Sequence, residues 1–267
     1  MRPVIRSVVS ACVAPILLAA GLGPLSPSAS ASVVSGPVFD DFLGPAGAPP
    51  DPAHWSFDVG SSAEHGWERG SLQTYTDSPD NVALDGYGNL VITARKSGDD
   101  YTSGRIVTRG KLAFPFGTVA ARIKFPSGQG LWPAFWMVGS NIDTVGWPAS
   151  GEIDMMEIIN TATAYNIALH GPGADVEKKG SIDDLARDFH TYWASRRPGA
   201  VSIGVDETTL GTFTPESLPA GSPWVFDGPM FVLLNLAVGG DWPGPPDQST
   251  PFPSMMVVDW FSFQPQE

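Results

Sequence analysis

Beyond residue 31 this chain of 267 residues has no cysteine, because its one copy, Cys12, sits in the opening segment. A disulfide framework is excluded, and stability has to come from core burial, with a metal ion as the one other staple available. Basic residues are scarce as well, 15 against 28 acidic. Arg2 and Arg6 are the only charged residues before Ser32, so without that segment 13 basic residues face the 28 acids and the net charge moves from -13 to -15. Such a charge excludes nucleic acid as a partner and suits a neutral substrate. Long helical periodicity, internal repeats and linkers are also missing after residue 32, which leaves one domain, expected to be a monomer, with no appended binding module.

The opening segment explains itself. Arg2 and Arg6 precede an apolar stretch from Val8 to Leu22, and Ala29-Ser30-Ala31 closes it with small residues. This is the pattern of a secretory signal peptide over residues 1–31, so the mature protein is expected to start at Ser32 and to be extracellular, without a membrane attachment. Pro15, Pro24 and Pro27 interrupt a stretch shorter than the roughly 20 apolar residues a membrane span needs. Most of the apolar stretch follows Cys12, which is the wrong order for a lipoprotein cleavage box.

What the chain has in abundance is glycine, proline and short runs of Val, Ile, Phe and Thr, the marks of an all-β sandwich. Strands are expected over residues 89–96, 105–108, 117–124, 134–139, 152–158, 165–170, 190–194, 201–205, 230–237 and 254–263. In the third of these, Val119, Ala121 and Ile123 alternate with Thr118, Arg122 and Lys124, as a half-buried strand requires. One short helix is expected over residues 181–188, with Ser181 as its cap and Asp183 and Asp184 in its first turn.

The strand expected from residue 152 carries the chemistry. Glu152, Asp154 and Glu157 place three carboxylates within six residues, among the core-forming Ile153, Met155 and Met156. Like charges this close in a partly dry site repel, which is costly unless a reaction or an ion uses them. Residues two apart share a face, so Glu152 and Asp154 point together, whereas Glu157 is out of phase unless a β-bulge at Met155-Met156 adds one residue. With the bulge discounted, the two glutamates lie about 13 Å apart along the backbone and can lean to about 5 Å, the separation of a retaining glycosidase. One acid would be ionised and the other protonated, their pKa values split by mutual repulsion; spacing does not say which. An exposed polar face or a calcium site of three oxygen ligands also answers to the triplet.

The residues around the triplet decide between these. Gly130-Leu131-Trp132-Pro133-Ala134-Phe135-Trp136-Met137, Gly88-Asn89-Leu90-Val91-Ile92-Thr93-Ala94, Leu169-His170-Gly171-Pro172-Gly173 and Asn235-Leu236-Ala237-Val238-Gly239-Gly240 with Trp242-Pro243-Gly244 follow in order along the chain. Together with the Glu-x-Asp-x-x-Glu strand they resemble glycoside hydrolase family 16, in its laminarinase-like endo-1,3-β-glucanase branch. The resemblance implies a concanavalin-like β-jelly roll of two antiparallel sheets with a substrate cleft on the concave one. It also implies Glu152 as nucleophile, Asp154 as its assistant and Glu157 as general acid/base, acting on β-1,3-glucan or mixed β-1,3/1,4-glucan without an organic cofactor. A galactan substrate, or carbohydrate binding without catalysis, is the alternative reading.

A glucan cleft needs flat apolar rings for the sugar faces and polar groups for the hydroxyls. The resemblance assigns Trp132, Trp136, Trp147, His170, Arg105, Asn235 and Gln73 to substrate binding, and Asp259 to a structural calcium remote from catalysis. Trp193, Trp224 and Trp260 are read as packing residues. Two stretches depart from the pattern. Arg69-Gly70-Ser71 replaces polar sugar contacts, and Val201-Ser202-Ile203-Gly204-Val205-Asp206-Glu207 lacks two aromatic rings, which is expected to open the cleft along with a shortened loop over residues 174–188.

Overall fold

The structure is a computed structural model that describes residues 31–61 and 68–266. The expected leader, with Cys12, lies outside the described residues except for Ala31. Two sheets carry the fold. One has seven strands in the order Ala174–Ser181, Ala164–Gly171, Glu152–Glu157, Leu131–Gly139, Met230–Val238, Arg105–Val107 and Ser56–Phe57. The other has eleven, built around Gly117–Lys124, Ser254–Pro265 and Leu90–Ser97. Pairing within the seven-stranded sheet is antiparallel throughout. Each expected strand is present, with ends moved by three residues at most.

Alternation decides which side chains meet between the sheets. Val119, Ala121 and Ile123 from one sheet pack with Phe135, Met137, Ile153, Leu169, Val232 and Leu234 from the other in a single buried cluster. The intervening residues of the seven-stranded sheet face outward, and there Val107, Ala134, Trp136, Val138, Phe231 and Leu233 form a second, smaller cluster. The floor of any site on that face is therefore apolar and rigid before a polar group is added.

The expected helix over residues 181–188 is absent. Ser181 ends the strand Ala174–Ser181, and residues 183–187 are turn, with Asp184 at φ 66. The hairpin preceding it explains why. Gly171 pairs with Ala174 across Pro172-Gly173, and Gly173 takes the left-handed φ of 66 that a tight turn needs. The strand that follows, carrying Asp175, Glu177, Lys178 and Lys179, lies at the sheet edge, where charges are tolerated on both faces and hide the strand pattern. The 174–188 stretch is thus an edge strand with a turn, not a shortened loop.

A second expectation is corrected by topology. Ala200–Val205 and Thr208–Phe213 form a hairpin of the eleven-stranded sheet, where Trp193 covers Gly204 so closely that an added Cβ would lie 2.1 Å from the ring. The rings absent from residues 201–207 are therefore not absent from the face that carries the carboxylates.

Gly130 precedes the central strand Leu131–Gly139 at φ 77, and a Cβ there would lie 2.3 Å from the backbone nitrogen of Pro246. Gly130→Ala is expected to destabilise the protein by at least about 1–3 kcal/mol in urea unfolding, since backbone cannot move aside as a side chain would. Gly98→Ala, at φ 62 in open space, is expected to cost less.

Candidate active site

Strand Glu152–Glu157 contains one residue more than its neighbours can pair. On one side Phe135 faces Met156 while Trp136 faces Asp154; on the other, Ala168 faces Asp154 and Asn166 faces Glu157. Met155 has no register partner, so the strand carries the expected bulge. Met155 and Met156 both go fully into the core. An unbranched thioether chain fills the irregular space a bulge leaves, and burying each side chain contributes roughly 1.5–3 kcal/mol. Glu157 is thereby returned to the face of Glu152 and Asp154.

The three acids are held differently. Glu152 accepts a hydrogen bond from Trp147 Nε1 on Oε2 at 3.0 Å, and His170 Nε2 lies 3.9 Å from its Oε1. Asp154, buried, has His170 Nε2 at 2.9 Å. Glu157 accepts from Trp132 Nε1 on Oε1 and from Asn166 Nδ2 on Oε2, both at 2.9 Å. His170 completes a chain, since its Nδ1 lies 2.9 Å from Asp175 Oδ1 on the edge strand.

Charge follows from these contacts. Burial by itself would lower the imidazole of His170, but the hydrogen bond and charge of Asp154, then the charges of Glu152 and Asp175, hold it up at about 10. It is an imidazolium at neutral pH. Burial, then the charge of Asp154, raises Glu157 to about 8 against the pull of the Asn166 and Trp132 N–H groups. Burial and the charge of Asp154 also push Glu152 well above the ordinary carboxylate range, while the imidazolium of His170 and the Trp147 indole draw it back. Glu152 and Asp154 share the cation; Glu157 faces neutral donors. A proton on Glu157 leaves Glu152 and Asp154 as the two carboxylates beside one imidazolium.

Aromatic rings frame the acids. Trp147 is 56% exposed, and Trp132 meets Trp242 edge-on at 5.3 Å between centroids. Trp136 is buried in the floor and donates to Asn235 Oδ1 at 2.7 Å. On the same face, in the row that continues from Glu157 through Ala134, runs a buried polar network. Arg105 lies 2.9 Å from Asp58 and 3.3 Å from Glu68, with its guanidinium 4.6 Å from the Tyr75 ring. Asn235 donates to Glu68 at 3.2 Å and to the Tyr75 hydroxyl at 3.1 Å. Gln73 accepts from the backbone N–H of Val238 at 2.8 Å and donates to Ser71 at 3.1 Å.

The profile described as glycosyl hydrolases family 16 matches residues 70–261, the span that holds all three acids. The chain belongs to glycoside hydrolase family 16. A β-glucanase of Rhodothermus marinus is 36% identical over 234 residues, covering 79% of each chain. The endo-β-1,3-glucanase of Pyrococcus furiosus is 40% identical with a TM-score of 0.78, over 85% of this chain and 93% of its own. The laminarinase catalytic domain of Thermotoga maritima is 35% identical with a TM-score of 0.79, over 86% and 97%. The two-sheet architecture is that of family 16 jelly rolls, and the chain is a glycoside hydrolase.

Among the positions expected to bind substrate, Trp132, Trp147 and His170 touch the three carboxylates directly. Trp136, Arg105, Asn235 and Gln73 are buried; Asn235 and Arg105 continue the row of Glu157 and Ala134 across the same face of the sheet, and Arg105 is 1% exposed. Sequence reasoning did not single out Asn166, Asp175, Glu68, Tyr75 or Trp242. Asn166 was within reach, since it sits two pitches from His170 on the same face. Asp175 required the hairpin, and Glu68 a contact with Asn235, far away along the chain. Asp259, where the resemblance expects a calcium, lies on the strand Ser254–Pro265 of the eleven-stranded sheet. Its Oδ2 accepts from Arg122 Nη1 at 2.5 Å.

The raised Glu157 gives a stability test. A carboxyl whose pKa rises from 4.5 in the unfolded chain to about 8 in the fold adds stability that is full below pH 4.5 and lost as pH climbs through 8. The denaturant midpoint is expected to fall from pH 5 to pH 9, and Glu157→Gln is expected to flatten that fall and to be the more stable protein at pH 9.

Proposed function

We propose that this protein is a secreted, retaining endo-glycosidase that hydrolyses β-1,3-glucan or mixed β-1,3/1,4-glucan. The observation that carries the reading is the bulge at Met155, which sets Glu152 and Glu157 on one face with opposite surroundings, one beside a cation and the other beside neutral donors. Glu152, ionised, attacks the anomeric carbon, while Glu157, protonated, gives its proton to the departing glycosidic oxygen. Water then enters, loses a proton to the ionised Glu157, and breaks the glycosyl bond to Glu152. Asp154 and His170 carry no bond to sugar in this cycle; they limit the charge that Glu152 gains when it is released. The exposed faces of Trp147 and Trp242, on either side of the acids, offer apolar planes to glucose rings. Secretion is supported by the leader pattern before Ser32, and among the described residues no helix is long and apolar enough to cross a membrane.

Laminarin and lichenan are expected to release reducing ends, and agarose and carrageenan none; galactan cleavage would move the substrate assignment. Glu152→Gln is expected to abolish the release while glucan binding is kept. Glu157→Gln is expected to lower it roughly 100- to 10,000-fold, the range that a general acid supplies. Proton NMR in the first minutes is expected to show the β-anomer; an α-anomer first would rule out the covalent route.

A further inference from the structure

Asn166 lies in the strand Ala164–Gly171, directly opposite Glu157 in the ladder, and is buried. Its Nδ2 donates to Glu157 Oε2 at 2.9 Å, while its Oδ1 is buried without a hydrogen-bond partner. A buried carbonyl left unpaired costs about 1–3 kcal/mol, so its persistence beside a titrating group calls for a reason. The other oxygen of Glu157 is held by Trp132 Nε1, and an indole nitrogen only donates. Oε1 is thus committed as an acceptor, and Oε2, the oxygen against Asn166, is the one left to carry the proton.

We infer that Asn166 is a positioning residue for the acid/base, its amide donating to Oε2 of Glu157 when that oxygen is ionised and turning to accept from it when it is protonated. The two ends of a carboxamide are nearly equal in shape, so a half-turn about the last side-chain bond exchanges N–H for C=O with little change in packing. With Glu157 protonated and no sugar bound, the amide is turned from its orientation in the structure and the Oε2–H bond points to Asn166 Oδ1; the glycosidic oxygen replaces that acceptor when sugar binds. On attack by Glu152 the Oε2–H bond breaks, its proton forms the new O–H bond of the departing sugar, and the C–O bond to that sugar breaks. The amide then presents Nδ2 to the carboxylate until water returns a proton to Oε2. Trp132 cannot serve both states, and the ladder register makes Asn166 the group that can.

This inference rests on Glu157 being the acid/base, and the tests separate the two. Azide is expected to rescue Glu157→Ala with formation of a β-glycosyl azide; without rescue, the acid/base reading itself fails. For Asn166, kcat/KM on laminarin is measured against pH for Asn166→Ala and for the isosteric Asn166→Leu. A fall of roughly 10- to 100-fold is expected, as for loss of a hydrogen bond to a charged group, with the alkaline limb moved to higher pH because the ionised form has lost its donor. A fall at every pH with the limb unmoved is a merely structural effect and overturns the inference. The wild-type enzyme provides a check that needs no variant to fold: the side-chain amide ¹⁵N signal of Asn166 is expected to titrate with the midpoint of the alkaline limb, and a signal constant through that range overturns the inference.

Discussion

Everything on the site face depends on one surplus residue in a β-ladder. Without it, strand parity would send Glu157 toward the core and Met156 toward solvent, wrong for both. Met155 has no partner in either neighbouring strand, and the cost of that defect is offset by the burial of two thioether side chains between the sheets. The core therefore holds the bulge in place as much as the bulge serves the site. A hinge or loop could have re-aimed a glutamate, but not with both neighbouring strands fixing its position.

Collecting three acids on one buried strand creates an electrostatic problem that the surrounding strands divide among themselves. The neighbouring strand brings His170 to Asp154 and Glu152, and the edge strand brings Asp175 to the far side of that imidazole. Trp132 and Asn166 meet Glu157 with neutral N–H groups only. The result is an asymmetry between two chemically identical side chains, which is what acid and nucleophile roles demand. Farther along the same face, Glu68 and Arg105 repeat the theme: the pair is buried and joined to Tyr75 and Asn235.

The legible part of this molecule consisted of what depends on period and phase. Alternation placed the strands, and the odd spacing of Glu157 from Glu152 was enough to require a bulge at the doubled methionine. The illegible part consisted of charged residues whose role lies in a distant partner. Asp175 and Lys179 looked like a polar loop because an edge strand is solvated on both faces. Ser181 with Asp183 and Asp184 looked like a helix start, but Leu185, fully buried, pins that stretch to the core as a turn. Arg105, Asn235 and Gln73 stand where the family resemblance expects sugar contacts, yet their side chains are taken up by Glu68, Tyr75, Trp136 and the backbone of Val238.

The sequence by itself determined the two-sheet class, the location of the carboxylates and the need for an extra residue between them, because these follow from local periodicity along one strand. Only the tertiary structure decided what surrounds each acid. Those surroundings are His170, Asp175, Trp132 and Asn166, brought in from neighbouring strands at separations that chain order does not encode. The field at a buried carboxylate is a sum over its spatial neighbours.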